Sequence, residues 1–204
     1  MPKIVAIAND MDQLLARGLE ALGDLHLVHG RGFAQCHEDL RNERDADLLI
    51  TNLPPGRTSF EGYGPSIHVV HETIMDLRIP AIVHTGMSAR HLWQLGSLPA
   101  FVHPKEFGDS DARVLATAMA IAKIWFPMAP RERIEFMDET LRLHQEEASR
   151  PDTIFTDADC ILLERFQVAS AEEIGQMREM NAQAREMMSP EPCGGDSRRT
   201  ISSP

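Results

Sequence analysis

The chain has 204 residues, 43% of them hydrophobic and 25% charged, and a formal net charge of −11. This is the make-up of a globular protein able to bury a core, with room for one domain and something smaller. The acidity argues against a general polyanion binder, since nucleic-acid affinity rests on Lys and Arg, and no apolar run approaches the roughly 18 residues of a membrane span.

Met1-Pro2-Lys3-Ile4-Val5 leads straight into a strand, so no signal peptide is expected. Cys36, Cys160 and Cys193 are scattered and odd in number, which points to a reducing cytoplasm and neither a disulfide framework nor a zinc site.

Lys3 to Ala8 reads as a first strand. Asn9 or Asp10 then caps a helix whose Met11, Leu14, Leu15, Leu19 and Leu22 keep helical spacing, and Gly23 ends it. Leu25 to Val28 is a second strand, and Phe33, Cys36 and Leu40 mark a second helix. Leu48 to Asn52, between an acidic pair and Pro54-Pro55-Gly56, has the unbroken apolar character of a strand buried on both faces. After a Gly- and Pro-rich loop to Gly64, Pro65 opens a third helix with Ile67, Val70, Ile74 and Leu77 on one face. Ile79 to Thr85 is a fourth strand, Ser88 to Leu95 a short helix, and Ala100 to His103 a fifth strand. Asp109 caps a last helix ending near Trp125.

Strands alternating with helices predict an α/β fold, a doubly wound parallel sheet. Ala8-Asn9-Asp10-Met11 lacks the glycines of a dinucleotide-binding turn, so the flavodoxin-like strand order 2-1-3-4-5 is expected over residues 1–126.

These elements resemble a response-regulator receiver domain. Its two magnesium-binding acids would fall at Ala8 and Asn9, with Asp10 beside them, and its phosphoacceptor aspartate at Asn52. Its hydroxyl is kept as Thr85, and its lysine before a proline is replaced by His103-Pro104, with Lys105 following. Magnesium needs hard carboxylate oxygens, and an amide forms no acyl phosphate. The resemblance is therefore to a degenerate receiver that is not phosphorylated and carries no metal or other cofactor.

The helix ending at Trp125 is apolar nearly all round, which makes its outer face either a dimer or partner surface or a contact with a second domain. Nine histidines are present, but neither His68 with His71 nor His84 with His103 is joined by a third ligand at metal spacing. No Ser or Cys nucleophile has an evident partner, so no enzyme activity is expected.

Two prolines, Pro127 and Pro130, set a boundary. Residues 127–150 read as a linker and dimerisation helix, with Ile134, Met137 and Leu141, continued weakly by His144 and Ala148, on a short coiled-coil stripe. Residues 151–188 read as a helical module. A helix capped by Thr156 runs to Phe166, and Gln167-Val168-Ala169 form a bend. Ser170 and Glu173 then make a capping box before a helix whose Ile174, Met177, Met180, Ala184 and Met187 form a packing stripe. Residues 189–204, rich in Pro, Gly and Ser, read as a disordered tail.

Ile161-Leu162-Leu163-Glu164-Arg165-Phe166, Ser170-Ala171-Glu172-Glu173 and Met177-Arg178-Glu179-Met180, in that order, resemble the ANTAR module, the RNA-binding domain of AmiR- and NasR-type transcription antiterminators. Ile174 and Asn181 stand where that family has alanines, and its third helix has no clear counterpart. The resemblance implies a cytoplasmic homodimer that binds a leader RNA and is controlled by a partner protein sensing a small molecule, such as an amide. Arg165, Ser170, Arg178 and Arg185 would then contact RNA, with Arg198 and Arg199 as additions from the tail. The same three helical arginines could instead pair with Glu164, Glu172 or Glu179 on solvated faces. A protein-interaction module without RNA binding is the alternative function.

Overall fold

The computed structural model describes residues 1–8, 11–28, 32–54, 63–87, 95, 98–105, 108–151 and 153–188. Five parallel strands, β1 (Lys3–Ile7), β2 (Asp24–Val28), β3 (Leu48–Thr51), β4 (Ala81–Thr85) and β5 (Phe101–Pro104), stand in the order β2-β1-β3-β4-β5. This is the receiver-like, flavodoxin-like arrangement. Register pairs Ile4 with Leu48, Ile50 with Ile82, and His84 with His103.

Burial explains the strand sequences. Every residue of β3 and β4 is buried, as their unbroken apolar runs require, whereas the edge strand β2 exposes Asp24, His26 and Leu27 and only partly buries Leu25 and Val28. Helices α1 (Gln13–Glu20) and α4 (Ser110–Trp125) pack on each other on one face, and α2 (Phe33–Glu43) and α3 (Gly64–Leu77) on the other. The α1–α4 approach is close at Gly18, where an added Cβ would lie 2.7 Å from the Leu115 side chain.

Two details of the first helix differ from expectation. Its cap is Asp12, whose carboxylate accepts from Leu14 N–H at 2.7 Å, and Asn9 and Asp10 lie outside the described residues. Leu14 is 76% exposed, because Leu15 and Leu19 take the inward face and Leu14 is turned about 100° from it. The expected short helix at 88–95 lies, but for Leu95, outside the described residues, as does the expected disordered tail 189–204.

Beyond the sheet domain, α5 (Pro130–Ala148), α6 (Phe155–Arg165) and α7 (Ala171–Met188) form a helical layer. Glu132 accepts from Ala129 N–H, Asp157 from Ile154 N–H, and Ser170 and Glu173 bond reciprocally as the sequence implies. Thr156 is not the cap of α6. It lies inside the first turn, its hydroxyl 2.7 Å from Asn181 Oδ1 on α7.

This layer shares the core of the sheet. Phe166 is fully buried, 5.7 Å from Phe101 of β5, 6.4 Å from Trp125 and 5.1 Å from Phe136, ring centre to ring centre. Met137, Leu141 and His144 are likewise buried, so the stripe expected as a coiled-coil seam faces the chain's own interior, while Ile134 is 52% exposed. The spacing was right for an amphipathic helix, and α6 and the sheet domain occupy its apolar side.

Charged contacts hold the same junction. Asp47, just before β3, accepts from Lys3 N–H at 2.7 Å and from Arg133, and its carbonyl accepts from Trp125 Nε1 at 2.7 Å. Arg133 also donates to the carbonyls of Trp125, Phe126 and Met128 and lies over the Trp125 ring. Arg78, the left-handed cap of α3 with φ 52°, reaches Asp138 of α5.

Removing the ring in Phe166→Ala should cost about 3–5 kcal/mol. Because one core serves both layers, urea unfolding followed by circular dichroism and by tryptophan fluorescence should give a single coincident transition. A separate early loss of helix would show that α5–α7 melt on their own.

Candidate functional site

In a parallel sheet the C-terminal strand ends gather at one edge, where ligands of such folds bind. Ala8 follows β1, and Asn52 follows β3 with its N–H donating to Ile7 O at 3.2 Å. Thr85 ends β4, and its carbonyl accepts from Lys105 N–H at 2.8 Å. The backbone thus brings Ala8 beside Asn52 and Thr85 beside Lys105. Thr85 is fully buried, and its hydroxyl oxygen accepts from Met87 N–H at 3.1 Å. Of Ala8, Asn52, Thr85 and Lys105 none is a carboxylate, so these residues supply neither a magnesium ligand set nor a phosphoacceptor.

His103 does not join that edge. Its Nε2 lies 2.9 Å from Thr117 Oγ1 on α4, while its strand neighbour His84 lies 3.2 Å from Ser110 Oγ and 3.3 Å from Asp111. Both histidines therefore tie β4 and β5 to α4. Among the described residues no three His, Cys, Asp or Glu converge at metal-binding distance.

Two further histidines are buried. His37 of α2 bridges Thr73 of α3 (Nδ1, 3.0 Å) and Thr51 of β3 (Nε2, 3.2 Å). Thr73 donates its own proton to Val69 O and accepts from His37 Nδ1–H, while Nε2 lies against Thr51, whose hydroxyl also reaches Asn52 O at 3.1 Å. His144 of α5 is fully buried, and neither ring nitrogen has a hydrogen-bond partner among the described residues. Burial pushes His37 down to about 4, with Arg41 adding to it. It pushes His103 to about 4 with help from His84 and Arg113, and His144 to about 4 with help from His71.

The arginines expected at an RNA surface are engaged within the chain. Arg165 stacks over the Phe136 ring, pairs with Glu139 at 2.9 Å and donates to Thr140 and to Phe136 O. Arg185 pairs with the buried Asp157, which also accepts from Asn181. Arg178 is half-exposed and pairs with Glu164 at 3.2 Å. Ser170 is exposed and occupied by its capping bonds to Glu173. Arg178 and Arg185 border one polar hollow with Arg150, Glu147 and Asp157, and Arg165 does not reach it.

The methionine stripe of α7 is the clearest departure from the expected packing. Ile174 is buried, but Met177, Met180 and Met187 are 41%, 67% and 81% exposed. Helix α7 packs chiefly on α6, and a single supporting helix buries only one side of it. Sequence reasoning also passed over Asp159, which lines an apolar cleft beside β5 and whose carboxyl is pushed up to about 7 by lost hydration. An acid on the face of Leu162 and Leu163 was the available signal.

No protein-family model matches the chain, and no curated protein does. Among solved structures it is similar to a pilus assembly-related protein of Burkholderia pseudomallei, at 18% identity and a TM-score of 0.40 over 59% of this chain and 90% of that one. It is also similar to the RcsB response regulator of Salmonella typhimurium, at 14% identity and a TM-score of 0.43 over 88% of this chain and 98% of that one.

The buried histidines set a pH dependence. Each takes a proton more readily unfolded, near 6.5, than folded, near 4. Stability is therefore full above pH 6.5 and falls as the pH drops toward 4, by about 3 kcal/mol for each. Asp159 acts in the opposite sense, weakening the fold as pH rises from 3.8 to about 7, and offsets one of the three. Urea midpoints should fall steeply between pH 6.5 and 4.5, and His144→Leu should flatten that slope while raising stability at pH 5.

Proposed function

We propose that this chain is a regulatory protein of the receiver type that works without phosphoryl transfer and acts through its helical layer. The observation that carries the reading is the edge formed by β1, β3 and β4. Asn52 stands there in place of an acceptor carboxylate, Ala8 in place of a metal ligand, and the Thr85 hydroxyl is sealed in its own turn. A domain built this way receives its input by contact with another molecule.

The specific output implied by the order of motifs in α6 and α7 is leader-RNA binding and antitermination, by a cytoplasmic homodimer under a ligand-sensing partner protein. Arg178, half-exposed, is the arginine best placed for a phosphate. Binding of a partner protein is favoured by a separate observation. Arg165 and Arg185 are spent on Glu139 and Asp157, while Met177, Met180 and Met187 form an exposed pliable stripe on a chain of net charge −11. Of the two outputs, protein contact through α7 has the stronger support.

Incubation with acetyl phosphate and magnesium should leave the mass unchanged, and the gain of one phosphate would overturn the reading. In a gel shift with the leader RNA of its own operon at physiological salt, no specific band is expected. A specific band abolished in Arg178→Ala would establish the antiterminator in place of the adaptor.

A further inference from the structure

The helical layer does not close fully on the sheet. Between β5, α4, α6 and α7 lies a cleft of about 440 Å³, the size of a small-molecule site. Its walls are largely apolar, with Phe101 and Val102 on the strand side, Leu162 and Leu163 on α6, and Met177 and Met180 along the α7 lip. Edge strands leave backbone N–H and C=O groups without strand partners, and β5 is such an edge.

Among the described residues, the polar side chains that line the cleft have partners, Asp159 excepted. His103 bonds Thr117, Thr156 bonds Asn181, and Arg113 pairs with Asp109. Asp159 lines the same cleft from the face of α6 that carries Thr156, yet its carboxyl has no hydrogen bond and no ion pair among the described residues. Asp159 is half-buried, so its carboxylate faces the cleft as a charge that no side chain among the described residues takes up. The surrounding charge of −11 draws cations toward the protein.

We propose that this cleft is a binding site for a small amphipathic amine, with its apolar body between β5 and the methionine lip and its ammonium group on Asp159. Asp159 gives up its proton as the cation enters, because an adjacent positive charge favours the carboxylate. The bound molecule touches the sheet edge, α6 and α7 together, so it fixes α7 against the sheet domain. The site stands independently of which macromolecule α7 contacts.

The test is calorimetric titration of the full chain at pH 7 with a series of arylalkyl amines, 2-phenylethylamine first, and with the matched alcohols. The amines should bind at least about tenfold more tightly than the alcohols, as a charge-assisted hydrogen bond implies. Repeating the titration in buffers of different ionisation enthalpy should show proton release on binding. Asp159→Asn, which keeps the shape and removes a poorly hydrated acid, should fold with a raised melting temperature at pH 8 and lose the preference for amines. Hydrogen exchange in α7 should slow with the amine bound. Absence of binding by any amine, equal binding of amine and alcohol, or a preference that survives in Asp159→Asn would each overturn the proposal.

Discussion

Fixing α5 and α6 to the sheet domain is the constraint on which the rest of the molecule depends. Trp125, Phe136 and Phe166 meet ring against ring, and Phe166 reaches Phe101 on the last strand. Around them Asp47 holds the start of β1, the end of α4 and the first turns of α5 through three separate acceptors. Taking Arg133 or Asp47 alone out of this set would leave the other partly buried without its counter-charge, which is costlier than never having had either. The helical layer is thus no loosely tethered appendage, and its orientation is set by the same residues that finish the sheet.

That rigidity bears on how a signal would pass. In the proposed reading nothing happens at Asn52, so no covalent event is available to rearrange β4, β5 and α4. The residues that couple the strand ends to α4 are His84 and His103, and both are anchored to hydroxyls or to Asp111 of that helix. Motion is left to the least supported element. Helix α7 rests chiefly on α6 and shows solvent three of its methionines. Such an element can be ordered or displaced at small cost, whereas α5 and α6 cannot.

The parallel sheet was legible because buried strands must be apolar on both faces, and Leu48 to Ile50 and Ala81 to Val83 satisfy this without interruption. The helix boundaries followed from Pro130 and from the Ser170–Glu173 pair, whose chemistry is local. What a helix stripe faces is not local. Met137, Leu141 and His144 have the spacing of a seam between two chains, and only the tertiary arrangement shows that α6 and the sheet fill that role. The partners of the arginines were illegible for the same reason: Arg165 to Glu139 and Arg185 to Asp157 span 26 and 28 residues. Glu164, one of the three glutamates named as alternative partners, does pair with Arg178, across the turn between α6 and α7.

The two margins of the sheet are unequal. Beside β5 stands α6, whereas β2 has a strand partner on one side only and exposes Asp24, His26 and Leu27. An open strand margin can be shared once, by a second copy turned through a two-fold axis. At β5 the helix that walls the cleft stands where a further strand would pair, so the sheet does not extend from that side.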